Sequence, residues 1–495
     1  MSTDVRARAD EQPQQQRTYG NWRLGRGAGL FGLGPAGTIA AFLVMVLSAA
    51  MIPISALAAL GTAIIGLLVL APLAIRINGR TGFQVINARI AWWMARARRH
   101  HVYVSGVASK VTAAHQLPGV LARSEVYEVE TGRSGLVAVV VVPQSRHYTV
   151  TLRCAPEGMD LVDQAVIDTR VSHLASWLAA LSREPQLVQA QITVETTPDP
   201  GTRLAAEVTA TSRPDAPALA LQVLDDVVRS YPAGSAAVDT RVSLTYTAPP
   251  GRSMSHEDVC REVAARLPHL HAGLTGATGA GIVPMSARSL AAVVRAAYDP
   301  DAALDLARDP KLTPDWTQAG PVATRESWDS YRHDSGVSRT WCMVEAPRGV
   351  VYSRLFARLT DPDPQLLRKR VTMVYRPYSP ADAARLVESD KRDARFLASK
   401  KHRPSARDLT DLAAADQAAQ EEATGAGVVR FTVLVTATVA ATDDGKQLDE
   451  ATGIIRARAG EARLTIRPMY GCQAAGFAAG LPTGIVLPTH ATIPF

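Results

Sequence analysis

The stretch PAGTIAAFLVMVLSAAMIPISALAALGTAIIGLLVLAPLAI, Pro35–Ile75, decides how this chain is read. It lies within 49 residues, 27–75, bracketed by Arg26 and Arg76 and free of Asp, Glu, Lys and Arg. As one helix it would run roughly 74 Å, against a bilayer hydrocarbon core of about 30 Å. Met51-Ile52-Pro53 marks a crease, because proline lacks an N–H and disfavours helix in the residue before it. The expectation is a membrane α-helical hairpin within residues 19–80, with transmembrane helices over about 36–51 and 54–75. A buried hairpin in a soluble core would carry a solvated face, which this stretch lacks. A cleaved signal peptide would not stand behind about 35 residues with a second apolar run directly after it.

Charge gives the orientation. Between Gln12 and Ser124 there is no acid, while ten Arg and one Lys give +11; the whole chain is +7, so the remainder carries −4. Basic residues beside a span stay on the cytoplasmic side, so the expected location is the plasma (cell) membrane, multi-pass, with both termini cytoplasmic. The residues expected at the membrane interface are Trp22, Arg23 and Arg26 before the hairpin and Arg76 and Arg80 after it, followed by Arg89, Trp92, Trp93, Arg96, Arg98 and Arg99. A basic amphipathic juxtamembrane helix is expected over 81–105, with Phe83, Ile86, Ile90, Trp93 and Met94 on one face. Its alternative is a connecting helix packed on the rest of the protein. Beside a span, such an arginine run favours membrane lipid over nucleic acid as partner.

Residues 1–18, rich in Gln and mixed charge, are expected to be disordered. A first cytoplasmic α+β region is expected over 117–300, a linker over 301–324, and a second α+β region over 325–495. Runs such as 136–142 and 428–441 read as strands. Residues 160–181 and 256–267 read as helices, the latter stopped by Pro268. The alternation points to ferredoxin-like split β-α-β units, with a duplication of the two regions.

Little here points to chemistry. The four cysteines, Cys154, Cys260, Cys342 and Cys472, form no Cys-x-x-Cys pair and sit in apolar segments, as small hydrophobes in a reducing compartment do. His269 and His271 lack an acidic or Cys partner at ligand spacing. Residues 276–281, Gly-Ala-Thr-Gly-Ala-Gly, have no following lysine and read as a flexible loop rather than a phosphate cradle. Asp390-Lys391-Arg392-Asp393 reads as a solvated helix face with partners four residues apart. The expectation is no enzyme, with no catalytic, cofactor-binding or metal-binding residue.

Several motifs together resemble a known family: Tyr19-Gly20-Asn21-Trp22, the hairpin, Gly79-Arg80-Thr81-Gly82, Arg89-Ile90-Ala91-Trp92-Trp93, Tyr331-Arg332-His333-Asp334-Ser335, Glu345-Ala346-Pro347-Arg348-Gly349 and Arg368-Lys369-Arg370-Val371-Thr372. They are similar to an actinobacterial membrane-protein family of integrative conjugative elements, encoded beside a type IV secretion ATPase. The architecture resembles a PrgI-like two-span subunit fused to the N-terminal domain of that ATPase. Glu421-Glu422-Ala423-Thr424-Gly425, the 428–441 strand, and Gln473-Ala474-Ala475-Gly476-Phe477 through Leu481-Pro482 are similar to the end of that domain. The resemblance implies a non-enzymatic inner-membrane structural component of a conjugation-type DNA-transfer (type IV) secretion system, docking a separate ATPase. Its implied partners are that ATPase, other membrane subunits of the apparatus, and further copies in a homo- or hetero-oligomer. The alternative is an EccE-like component of type VII secretion. Direct nucleic-acid contact would need a basic groove with stacking aromatics, and the region outside the membrane module is net acidic.

Overall fold

The computed structural model describes residues 19–20 and 34–491, apart from short segments at 78, 107–108, 110–115, 133–134, 157, 159–161, 200–201, 214, 231–235, 280, 348–349, 400–405, 424, 426 and 442–444. Helix α1 (Gly34–Met51) and helix α2 (Ala56–Ala74) fold back on each other at Pro53, as the apolar stretch implies. Ser55 caps α2 by accepting from the Ala58 N–H. The helices approach closely at Gly66, where a Cβ would lie 2.1 Å from Val44 Cγ1. A turn at 76–81 leads into α3 (Gly82–Ala97), opened by a Thr81–Gln84 capping box.

The expected two-span membrane hairpin is nevertheless overturned. Among the described residues no helix is long and apolar enough to cross a membrane. Helices α1 and α2 hold 18 and 19 described residues. Pro72 also removes one hydrogen bond inside α2. The transmembrane reading and the multi-pass location with cytoplasmic termini rested on those spans and fall with them. What remains is a helical hairpin with an apolar surface, on which Phe42, Leu43, Leu57 and Leu68 stay exposed.

The rest of the chain builds a sheet. Strand β1 (Val102–Val104) is followed by β2 (Glu125–Thr131), β3 (Gly135–Val142), β4 (His147–Cys154) and helix α4 (Gln164–Leu181). Next come β5 (Leu187–Pro198), the short helices α5 (Thr202–Thr211) and α6 (Ala218–Ser230), β6 (Ala236–Thr247) and α7 (His256–Thr278). Strand β7 (Ile282–Pro284), α8 (Ala287–Tyr298) and α9 (Pro300–Arg308) lead to β8 (Ala323–Glu326), β9 (Tyr331–His333) and β10 (Gly336–Glu345). One turn of helix, α10 (Ala357–Thr360), precedes β11 (Arg368–Pro377). The helices α11 (Pro380–Ser399) and α12 (Ala406–Ala423) then separate β11 from β12 (Val429–Ala440). The chain closes with α13 (Lys446–Glu461), β13 (Thr465–Pro468) and α14 (Gln473–Ala479).

These strands form one 13-stranded sheet in the order β1-β8-β9-β10-β12-β11-β5-β6-β4-β3-β2, with β7 on β4 and β13 on β10. Every pairing is antiparallel. The expected pair of ferredoxin-like units is therefore replaced by a single sheet, and the β11–β5 ladder, Lys369↔Thr196 to Tyr375↔Ala190, joins its two halves. Residues 301–324, expected as a linker, hold α9 and bury Trp316, whose Nε1 donates to the Ser124 carbonyl at 3.1 Å.

Burial explains the strand patterns. In β3, Val137, Val139 and Val141 enter one core with α4 and α7, while Ala138, Val140 and Val142 enter another with α8. An uninterrupted apolar run is what a strand covered on both faces requires. In the other half, Trp341, Val371, Val433, Val435 and Ala437 pack against α13. On the sheet face opposite these residues a buried ladder of hydroxyl pairs runs through both halves: Thr149–Thr245 (3.1 Å), Thr151–Ser243 (2.9 Å), Thr193–Thr372 (3.2 Å), Thr340–Thr436 (3.0 Å) and Ser338–Thr438 (2.7 Å). Residues 473–485 lie across this ladder as a strap. Gln191 Nε2 donates to the Leu481 carbonyl, Thr151 Oγ1 to that of Pro482, and Thr245 Oγ1 to that of Gly484. A buried segment outside any strand must find partners for its carbonyls, and the polar face supplies them.

Candidate functional site

The structure brings three of the expected interface residues together and separates the others. Helix α3 docks on the sheet instead of lying free. Trp92 is buried against Trp328, ring centroids 6.0 Å apart at a 65° tilt. The Arg89 guanidinium stacks 3.9 Å above the Trp328 ring. Trp328 in turn stacks on Tyr470, 5.8 Å away and 16° from parallel. Arg80, Arg89, Trp328, Arg467 and Tyr470 line a cleft of about 330 Å³. Burial, with Arg80 beside it, pulls the Arg467 guanidinium below its usual range. Trp93, Arg96, Arg98 and Arg99 remain exposed. Arg76 belongs to the short turn before α3; Trp22, Arg23 and Arg26 lie outside the described residues.

The most heavily charged interior lies at the sheet junction. Glu195 on β5 is 2 % exposed and faces Arg241 on β6 and Arg368 and Arg370 on β11. Its Oε2 accepts from Arg241 Nη1 at 2.6 Å and its Oε1 from Arg368 Nη1 at 2.7 Å. Arg370 Nε stands 3.3 Å from the same Oε1. Burial by itself would raise the Glu195 carboxyl, but Arg368, Arg241 and Arg370 outweigh it and hold the group far below the usual carboxylate range. Burial likewise brings Arg370 down to about 10 despite Glu195. Asp239 takes a second nitrogen of Arg241 at 2.5 Å and also pairs with Arg153 at 2.9 Å.

A cavity of about 1590 Å³ opens over this cluster. Glu195, Arg241 and Arg368 form part of its floor, and α5, α6, α8 and α9 contribute to its walls. The walls are largely apolar, including Val227, Val293 and Leu304, while Arg288 and Lys311 add exposed bases at the rim. Glu207 on α5 and Asp301 on α9 are acids on the same lining.

Other sequence candidates resolve into structure. Residues 276–278 are not loop but the end of α7, which runs through Pro268. It continues because Leu270 and Leu274 are core residues and Trp177 Nε1 donates to the Leu270 carbonyl at 3.1 Å. Gly273 and Gly276 let α4 approach, a Cβ there meeting Trp177 at 2.9 Å and His173 at 3.2 Å. Gly279, at φ +71°, is the left-handed cap of α7. His271 Nε2 lies 3.0 Å from the Ile282 carbonyl. Cys154 and Cys260 are buried, and burial pushes both thiols up to about 12. Lys391 pairs with Asp416 across the α11–α12 hairpin at 3.1 Å, rather than along its own helix.

Sequence spacing gave no reason to join Glu195 with Arg241, Arg368 and Arg370. One signal was present: Arg368 and Arg370 stand two apart in a strand, so they share a face. Trp328, Tyr470 and Arg467 come from three separate segments and carried no comparable signal.

A family model for a domain of unknown function (DUF8461) matches residues 26–84. The match covers α1, α2 and the turn into α3. A search of curated proteins finds no match.

Proposed function

We propose that this chain is a non-enzymatic docking subunit of a conjugation-type secretion apparatus, holding a separate ATPase. The observation that carries the reading is the arm formed by α11 and α12. Its helices pack chiefly on each other through Ala383, Val387, Ala394 and Ala415 and leave Phe396 and Leu409 exposed. Lys391 and Arg395 both reach Asp416, which fixes the pairing of the two helices. At 20 residues, α11 extends about 30 Å, and on this reading Phe396 and Leu409 are the apolar part of the surface offered to the ATPase. The resemblance of 421–425, of β12 and of the 473–482 strap to the non-motor part of a secretion ATPase supports the same partner.

The arm is inserted between neighbouring strands, with Pro377 opposite Val429 in the β11–β12 ladder. Residues 378–428 can therefore be replaced by a tight Asn-Gly turn without breaking the sheet. The shortened protein is expected to fold and to lose co-purification with the ATPase encoded beside it. Undiminished capture of that ATPase by the folded, armless protein would refute the assignment.

A further inference from the structure

We infer that the cleft between α3 and β13 is a binding site for a phosphate group, free or at the end of a small ester, held by Arg80, Arg89 and Arg467. The three arginines come from separate elements, the turn before α3, α3 itself and β13. All three line the cleft, together with Val85, Ala88, Trp328 and Tyr470. No acid stands in that lining, and among the described residues none of the three guanidinium groups forms an ion pair. The acids that flank Trp328 are already engaged. Asp329 accepts from Arg339 Nη2 at 2.7 Å, and Glu326 Oε1 accepts the Ala474 N–H at 3.0 Å. Arg80 also reaches the Cys472 thiol, which burial raises, so that it stays protonated and without charge. The cleft therefore presents three positive charges and no counter-charge.

Like charges gathered without a counter-ion repel, as Arg80 beside Arg467 does here. A phosphate near neutral pH brings close to −2 and three strong acceptor oxygens, whereas a carboxylate brings a single charge and two oxygens. Guanidinium N–H groups match phosphate oxygens in a planar fork. Arg89 is set for this before any ligand arrives. Its face lies on the Trp328 ring, 3.9 Å away, and Tyr470 stacks on the same ring. That stacking leaves the N–H groups at the guanidinium edge free, and prior ordering of a side chain lowers the cost of binding. At about 330 Å³, the cleft stands at the lower end of the roughly 300–1,000 Å³ of small-ligand sites, so any body beyond the phosphate is small.

Calorimetric titration of the full chain with inorganic phosphate, and with glycerol 3-phosphate, tests this. Phosphate is expected to bind, and Arg80→Gln and Arg467→Gln are each expected to weaken it by about tenfold or more, the loss of a charge-assisted hydrogen bond. Arg288→Gln, on the lining of the other cavity, is expected to change nothing. A circular-dichroism melt checks that each variant is folded. As a variant-free measurement, phosphate is expected to slow phenylglyoxal modification of Arg80 and Arg467 several-fold, read by peptide mass spectrometry, while the exposed Arg288 reacts as before. Binding of glycerol 3-phosphate as well as phosphate assigns the end of an ester; binding of phosphate alone assigns the free anion. The proposal is overturned by absence of binding at millimolar phosphate, by unchanged affinity in both folded variants, by effects at Arg288 equal to those at Arg80 and Arg467, or by acetate binding as tightly as phosphate.

Discussion

Arg370 Nε lies 3.3 Å from Glu195 Oε1, yet no nitrogen of that guanidinium makes a well-formed hydrogen bond. Its plane instead stacks 4.6 Å from the Phe477 ring, so one buried arginine touches both the sheet junction and the strap. Glu195 is thus the one carboxylate shared by three buried cations from two strands.

Removing that charge should be severe. Breaking a buried charge pair typically costs about 3–5 kcal/mol, and Glu195→Gln keeps the shape while losing the charge. Urea denaturation is expected to show a loss of that size. A change below about 1 kcal/mol would mean that solvent or another group already compensates the arginines.

Gly484 marks where the strap is pinned. Its φ is +65°, and a Cβ there would sit 2.2 Å from Oγ1 of both Thr149 and Thr245. Gly484→Ala is expected to destabilise the fold by more than about 2 kcal/mol, from backbone strain and overpacking together. Hydrogen exchange should quicken across 473–485 before it does in β12. Normal exchange in the strap would show that it tolerates displacement from the hydroxyl ladder.

Mild acid should weaken the protein through two histidines. His333 Nδ1 lies 2.6 Å from the Tyr298 carbonyl, and its Nε2 lies 2.7 Å from Ser338 Oγ. The neutral ring with Nδ1–H donating to Tyr298 satisfies both. Burial lowers His333 to about 4, and burial with His490 and Arg376 nearby lowers His147 to about 4. Both stay neutral when folded but take up a proton below about pH 6.5 when unfolded. Their stabilisation is therefore complete above that pH and is lost as pH falls toward 4. Urea midpoints are expected to drop between pH 6.5 and 5 by the equivalent of roughly 2 kcal/mol per histidine. Glu195, held far lower, stays ionised throughout this window. A flat profile would contradict the burial of both rings.

Trp328 holds α3 in place, contacting both Trp92 and Arg89. Trp328→Ala is expected to release the helix, because truncating a packed aromatic costs up to about 3–5 kcal/mol. Trypsin should then cleave several-fold faster at Arg96, Arg98 and Arg99, since local opening exposes the backbone to proteolysis. Unaltered cleavage would place the anchoring of α3 elsewhere.

Local features of the sequence determined a great deal. The charge-free stretch with Pro53 fixes two apolar helices and their reversal, and Thr81 with Gln84 fixes the start of α3. The valine run in β3 and the alternation in β12 fix strands, because side-chain period depends on neighbours a few residues away. What covers each face was decided only in the tertiary structure. Pro268 reads as a helix stop, yet Trp177 and the α4 interface carry α7 past it to Thr278. The apolar stretch reads as two membrane spans, a reading that the described helices do not support. Arg368 meets Glu195 across 173 residues of chain, and β5 joins β11 to merge two expected domains into one sheet. Such pairings depend on which distant surfaces bury one another, and a periodic pattern specifies a face to be buried without naming its partner.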